Sequence, residues 1–356
     1  MLVTCGYVNL PRIALGTGDW TGSQRATSIA RVKTRQQELQ VAVCMILRDR
    51  GQLAMTVEHV TALENCNAQV TRNDQGQVVT VNLIDGSLTD AEVEHVAALS
   101  SLETLYLDGT DVTDSGLERL AGLPHLGTIG LSETQITDTG IRHLLELPQL
   151  HTLDLPHQIT DSGLLQLQEQ RTLKRLILIG AEVTDEGIAH LSEMTDLEFL
   201  CLAHTCVTDA GLSQLSQMKK LRALDLHGLG ITDCGLVHLA PLHQLVDLYL
   251  SGAQVTDAGL RHLANLTNLE FLTLSSRAEA GQCADRLSIT DAGIAHLSGL
   301  TKLQYLSLCN THATDAGLHH LSGMEGLQVL FLDNTEVSDN GIAELRQALP
   351  DCHIKA

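Results

Sequence analysis

Residues 102–125 read LETLYLDGTDVTDSGLERLAGLPH, and the following stretch, LGTIGLSETQITDTGIRHLLELPQ, sets Leu126, Ile129 and Leu131 where Leu102, Leu105 and Leu107 stood. The shared pattern is L-x-x-L-x-L-x-x-T-x-V-T-D-x-G-L-x-x-L-x-x-L. It restarts at Val78, Leu102, Leu126, Leu150, Leu173, Leu197, Leu221, Leu245, Leu269, Leu303 and Leu327, which makes eleven repeats. A fixed period of this length belongs to solenoids. Leu105 and Leu107 alternate with Thr104, Tyr106 and Asp108, the period-two signature of a short strand with one face buried. Leu117, Leu120 and Leu123 then recur every three residues, the inward stripe of a short helix. One unit cannot bury both stripes alone, so neighbours must stack into a continuous leucine core.

Charge and cysteine usage narrow the function classes. The formal net charge is −21. Residues 1–77 hold eight Lys/Arg against six Asp/Glu, so residues 78–356 hold 22 − 8 = 14 against 43 − 6 = 37, or −23. A surface of that sign disfavours nucleic acid, whose phosphates require clustered Lys and Arg, and favours a basic partner. The nine cysteines are scattered, odd in number and never form C-x-x-C, which fits neither a disulfide framework nor a zinc site and leads us to expect a reducing, cytoplasmic setting. No apolar run approaches the ~20 residues of a membrane helix, and the N-terminus does not read as a signal peptide.

Residues 1–35 carry no periodicity and read as an irregular or disordered tail; GTGDWTGSQ at 16–24 matches neither a dinucleotide fingerprint nor a P-loop. Helical spacing is expected from Arg35 to Arg48 and from Thr56 to Asn65. Ala68–Arg72 and Gln77–Leu83 predict a hairpin around Asn73-Asp74-Gln75-Gly76. Residues 36–77 are therefore expected to cap the open end of the array, 78–350 to form the solenoid and 351–356 to end it. The repeat from Leu150 is one residue short at Pro156, and the repeat from Leu269 carries an insertion over 276–288.

The T-D-x-G-L-x-x-L unit resembles the bacterial leucine-rich-repeat proteins with 24-residue repeats that abound in planctomycetes, and VEHVTALENCNAQVTRNDQGQVVTVNL (57–83) resembles their helix-and-hairpin cap. It is also similar to the cysteine-containing repeats of F-box receptors. The resemblance implies an α/β leucine-rich-repeat solenoid: a right-handed arc of about eleven repeats, with a concave parallel β-sheet and convex helices. It further implies protein–protein interaction rather than catalysis. An alternative it opens is an adaptor in which residues 1–77 recruit an enzyme and the arc recruits its substrate.

Repetition turns single residues into columns. The carboxylates Asp90, Asp114, Asp138, Asp161, Asp185, Asp209, Asp233, Asp257, Asp291, Asp315 and Asp339 precede the helices and are expected to cap them. The glycines two positions later are expected to mark close packing between turns. Thr110, Thr134, Thr205, Thr311 and Thr335 can satisfy backbone groups in the strand-to-helix turn. His95, His143, His190, His238, His262, His296 and His320 form a stripe on successive helices, spaced too widely to converge on one ion. There is no H-E-x-x-H or G-x-S-x-G, and no recurring nucleophile–base pair. No cofactor, metal or small-molecule substrate is expected.

The solvent-facing strand positions are the ones the fold leaves free. They are Thr80/Asn82, Thr104/Tyr106, Thr128/Gly130, Thr152/Asp154, Arg175/Ile177, Phe199/Cys201, Ala223/Asp225, Asp247/Tyr249, Phe271/Thr273, Tyr305/Ser307 and Val329/Phe331. Of only seven Phe and Tyr residues, Tyr106, Phe199, Tyr249, Phe271, Tyr305 and Phe331 all fall here. A leucine core has no need of aromatics, whereas exposed rings are favoured at interface hot spots. These six, with Arg175 and with Asp154, Asp225 and Asp247 to select a basic partner, form the expected binding surface for a protein or peptide. The competing reading is that Tyr, Phe and Val simply suit strands.

Overall fold

Alternation along each strand decides what is inside. Leu105 and Leu107 are fully buried, while Thr104 and Tyr106 between and beside them stay half-exposed on the other face. The computed structural model describes residues 55–275 and 286–356, and the fold below is that of the compact unit Glu58–Ala356. The tail over 1–35, the helix expected over 35–48 and most of the 276–288 insertion lie outside the described residues.

A helix ending at residue 65 leads into the antiparallel pair β1 (Gln69–Arg72) and β2 (Val78–Asn82). Val60 and Leu63 of that helix are buried in the same core as the leucines of the repeats. Parallel strands then follow, one per repeat: β3 (Thr104–Tyr106), β4 (Thr128–Gly130), β5 (Thr152–Asp154), β6 (Arg175–Ile177), β7 (Phe199–Cys201), β8 (Ala223–Asp225), β9 (Asp247–Tyr249), β10 (Phe271–Thr273), β11 (Tyr305–Ser307) and β12 (Val329–Phe331). A last strand, β13 (His353–Lys355), adds to β12 in parallel, so residues 351–356 extend the sheet. All thirteen lie in sequence order in one sheet. Parallel neighbours in register place each solvent-facing residue beside its counterpart one repeat away, so the sequence columns become physical columns.

The T-D-x-G segment works differently from a simple cap. Threonine, not aspartate, is the N-cap: Thr113, Thr137, Thr160, Thr184, Thr208, Thr232, Thr256, Thr290 and Thr314 are extended, and each Oγ1 accepts the amide two residues on. The aspartate is the first helical residue, and its carboxylate reaches into the next repeat. Asp90 takes the Thr113 N–H at 2.8 Å on Oδ1 and the Thr113 hydroxyl at 2.6 Å on Oδ2. Asp209 does the same to Thr232, Asp233 to Thr256, and so on to Asp315 and Ser338. The expected capping role therefore moves one residue back, because a side chain at the first helical position points along the stack rather than over its own amides.

The glycine column follows from that clamp. A Cβ on Gly163 would lie 2.5 Å from Asp138 Oδ1, and the other helix glycines from Gly116 to Gly341 meet the preceding repeat's aspartate in the same way. Each conserves the space that a neighbour's carboxylate fills. The turn threonines behave as expected, with Thr110, Thr134, Thr205, Thr311 and Thr335 each donating its hydroxyl to the carbonyl three residues earlier.

Among the described residues, the turns after most of the strands contain one residue in the left-handed region: Gly109, Gly180, Gly228 and Gly252, but also Asp85, Glu133, His204, Asn310 and Asn334. The repeat from Leu150 lacks it. There Pro156 makes a tight turn to Ile159, and Gln158 Nε2 fills in by donating to the Thr134 and Ile136 carbonyls at 2.8 and 2.7 Å. The same repeat replaces a core leucine with Gln170, buried to 6 % exposure and donating to the Leu144 and Leu147 carbonyls. The histidine stripe is mostly half-buried or exposed, and only His143 is buried. Among the described residues no group of His, Cys, Asp and Glu is placed to hold a metal ion, and no helix is long and apolar enough to cross a membrane.

Candidate functional site: the solvent-facing side of the sheet

Four of the six aromatic rings form one run across four strands. Tyr249 on β9 and Phe271 on β10 have centroids 4.9 Å apart at 40°. Phe271 and Tyr305 on β11 stack at 4.0 Å and 11°, and Tyr305 meets Phe331 on β12 at 5.4 Å and 43°. The register pairs Phe271 directly with Tyr305, while Tyr249 and Phe331 approach diagonally from the second strand column. Thr273 and Ser307 lie between those two end rings on the same column, so the run is a ridge beside a short hydroxyl-lined step. Burial raises the Tyr249 phenol, helped by the charges of Asp247, Asp225 and Cys201, and burial also raises that of Tyr305.

The remaining two predicted rings stand apart from this ridge. Phe199 on β7 carries the Arg175 guanidinium 4.0 Å above its centroid, a cation–π contact between adjacent repeats. Lys355 of β13 takes the same position over Phe331 at 5.3 Å and lies 3.9 Å from Asp333. Tyr106 on β3 leans toward Gly130 on β4; a Cβ there would lie 3.0 Å from its Cδ1 and 2.5 Å from Asp108 Oδ2.

Gly130 is buried, the space a side chain would take being filled by Asp108 and Tyr106, and the carboxylates of Asp108 and Asp154 meet beside it at Ser132. The Ser132 amide donates to Asp108 at 3.1 Å, and its hydroxyl donates to Asp154 at 3.1 Å. Burial, against the Ser132 hydrogen bond and with the charge of Asp108, pushes the Asp154 carboxyl up to about 6. Burial also raises Asp108, opposed by amides at Asp108 and Ser132 and helped by the charges of Asp85 and Glu133. Among the described residues neither carboxylate is in an ion pair.

The other predicted acids differ from one another. Asp225 accepts the His227 amide at 2.9 Å and the Cys201 thiol at 3.5 Å. Burial and the charges of Asp225 and Asp154 hold that thiol at about 12, far from a nucleophile's range. Burial and Glu270 raise Asp247, with Arg222 opposing. Asp108 and Lys355 were not among the expected site residues. The sequence signals were a lone glycine in the strand columns and a thirteenth strand hidden in the final residues.

One stability consequence follows from Asp154. Its folded value of about 6 stands above the ordinary 3.8, so the charged form costs stability fully above about pH 6 and not at all below 3.8. Two pH units correspond to about 3 kcal/mol at most, which partial exposure reduces to about 1 kcal/mol. Asp154→Asn should therefore raise the urea midpoint at pH 8 and leave it unchanged near pH 3.5. Destabilisation at pH 8 would contradict this account.

A comparison with curated protein sequences finds no match. The sequence profile of the family described as Leucine Rich repeat matches residues 98–121. Among solved structures, an internalin from Listeria monocytogenes is 21 % identical with a TM-score of 0.51, covering 79 % of this chain and 89 % of that one. The ectodomain of the Arabidopsis receptor kinase HAESA, solved with the peptide hormone IDA, is 19 % identical with a TM-score of 0.51; the match covers 75 % of this chain and 44 % of that one. At these identities the likeness is one of fold. With the repeat register, the sequential sheet and the buried leucine ladder, it identifies the chain's architecture: a leucine-rich-repeat solenoid.

Proposed function

We propose that this chain is a non-catalytic protein-interaction module whose sheet face holds a protein or peptide of basic character. The observation that carries the reading is the distribution of aromatics: six of seven sit on the one face the core does not use, and four touch in an unbroken run. Half-exposed rings lose less on docking than they gain, and interface energy concentrates in such anchors. The acidic balance of the repeats favours a cationic partner, as do Asp154, Asp225 and Asp247, none of which forms an ion pair among the described residues. HAESA's ectodomain, of the same fold, holds a peptide hormone, and an extended ligand is the kind of partner a long sheet face accommodates.

The test is affinity capture with wild type and with Phe271→Ala/Tyr305→Ala. Each ring lost from a hot spot costs about 2 kcal/mol or more, so the double variant should lose its partner by at least about tenfold. Its thermal midpoint should barely move, because both side chains lie outside the core. If a folded double variant retains the same proteins as wild type, the rings are strand formers and the reading falls.

A further inference from the structure

The rings are not the only apolar side chains this face leaves uncovered. Past the end of β6 the Leu178 and Gly180 amides donate to the Cys201 and Ala203 carbonyls, so the ladder continues and Ile179 shares the solvent side with Ile177. Leu176 and Leu178 fill the core beneath them. Ile179 is 51 % exposed and Ile177 is half-buried. On β7 the adjacent side chains, Cys201 and Ala203, are short and buried, and the isoleucines stand above them. Between this pair and the ring run lies Asp225 of β8, held by the His227 amide and the Cys201 thiol and in no ion pair among the described residues.

Spacing says what shape of ligand could meet all three. The isoleucines are on β6, the carboxylate on β8 and the Phe271 end of the ring stack on β10, so each interval is two strand steps. At ~4.8 Å per step that is about 9.6 Å. A polyproline II chain brings its side chains back to one side about every three residues, at ~3.1 Å each, or about 9.3 Å. A β-extended chain alternates sides, and its nearest step, about 10 Å over three residues, would turn every second anchor away. The rings suit such a backbone as well. Phe271 and Tyr305 stack face to face and turn edges outward, and ring edges are electropositive, fit for C–H groups and carbonyl oxygens. Among the described residues the Tyr249 and Tyr305 hydroxyls hydrogen-bond to nothing in the chain, so both can donate to the unpaired carbonyls that a polyproline II segment carries.

Resting on the reading of this face as a binding surface, we infer that its ligand is a proline-rich, basic segment in the polyproline II conformation, lying across the strands. One apolar side chain packs on Ile177 and Ile179. A lysine or arginine one turn on meets Asp225, and a second apolar side chain a further turn on lies against the edges of Phe271 and Tyr305. The acidic balance of the repeats decides the sign of the middle residue. Arg175, laid over Phe199, closes the other strand column at β6 and β7 and keeps the segment on the isoleucine side.

The experiment is a fluorescence-anisotropy titration with the labelled peptide Pro-Pro-Leu-Pro-Pro-Arg-Pro-Pro-Leu-Pro-Pro, whose prolines hold the conformation and whose Leu, Arg and Leu fall one turn apart. Its isomer Pro-Pro-Leu-Pro-Arg-Pro-Leu-Pro-Pro-Pro-Pro keeps the composition and breaks the spacing. A third peptide carries Glu in place of Arg. Wild type should bind the first at least about tenfold more tightly than either of the others, a comparison that leaves the protein untouched. Asp225→Asn and Ile179→Ser should each weaken that peptide by about tenfold, as should Phe271→Ala/Tyr305→Ala. Ile179 is exposed, so its variant keeps the fold even if Asp225→Asn does not. Equal binding of the isomer, or binding that needs the ring pair but neither Asp225 nor Ile179, would overturn the polyproline II inference and leave the binding surface standing. Binding of none of the three peptides would overturn it too, while capture of a protein through the ring pair would still support the broader reading.

Discussion

Gly235→Ala is expected to destabilise the array by about 2–4 kcal/mol, although alanine is the better helix former by about 1 kcal/mol. The added methyl group would overlap Asp209 Oδ1, which receives the Thr232 amide, while Oδ2 receives the Thr232 hydroxyl. Displacing that carboxylate removes two charge-assisted hydrogen bonds across one joint, and a solenoid is held only by such nearest-neighbour joints. Denaturation should therefore lose midpoint and also cooperativity, with a shallower slope as the blocks on either side unfold separately. Gly323, with open space where a Cβ would go, supplies the control: Gly323→Ala should be neutral or stabilise by about 0.5 kcal/mol. The mechanism has its own check in a double-mutant cycle. On an Asp209→Ala background the obstruction is gone, and Gly235→Ala should recover its helical advantage. If it costs as much there as in wild type, the clamp is not the reason for the glycine.

That clamp also shows where reading a sequence stops. The column of eleven aspartates, nine of them in T-D-x-G, was plain, and so was its structural character, but the partner assigned to the aspartate was wrong. Aspartate is favoured both at the N-cap and in the first turn, so local rules cannot separate the two positions. Only the stacking of Asp90 under Thr113 reveals that the carboxylate serves the next repeat and that Gly116 is small on its account. The aromatic face was legible for the opposite reason. Period two fixes which residues leave the core, and parallel register makes sequence counterparts into neighbours, so the Phe271–Tyr305 contact could be foreseen. The diagonal approach of Tyr249 and Phe331 depends on side-chain rotation, which no column predicts. Asp108 escaped notice because it lies past the end of its strand and reaches the site only by way of Ser132, one repeat on.

Stability should pass through a maximum in mildly acidic solution and collapse below the ordinary aspartate range. On the alkaline side, a net charge of −21 makes the array repel itself, and proton uptake on descending from pH 8 relieves that repulsion. Asp154 acts in the same direction, since its folded value of about 6 exceeds 3.8 and folding takes up a proton in between. The clamps act oppositely. At Asp114, burial works to raise the carboxyl, but the hydroxyl and amide of Thr137 and the hydroxyl of Thr139 outweigh it and hold the group below 3.8. The Ser338 hydroxyl and amide lower Asp315 likewise. A carboxylate depressed in the fold contributes stability that is complete above its unfolded value and is lost as pH falls through the folded one. Acid should therefore loosen the joints made by Asp114 and Asp315, and the array should fray in steps rather than melt in one transition. The urea midpoint followed from pH 8 downward tests both limbs, and Asp114→Asn should lower the neutral midpoint while flattening the acid limb. A midpoint that holds constant from neutral to about pH 3, under the aspartate range, would mean that the clamp carboxylates gain nothing by folding.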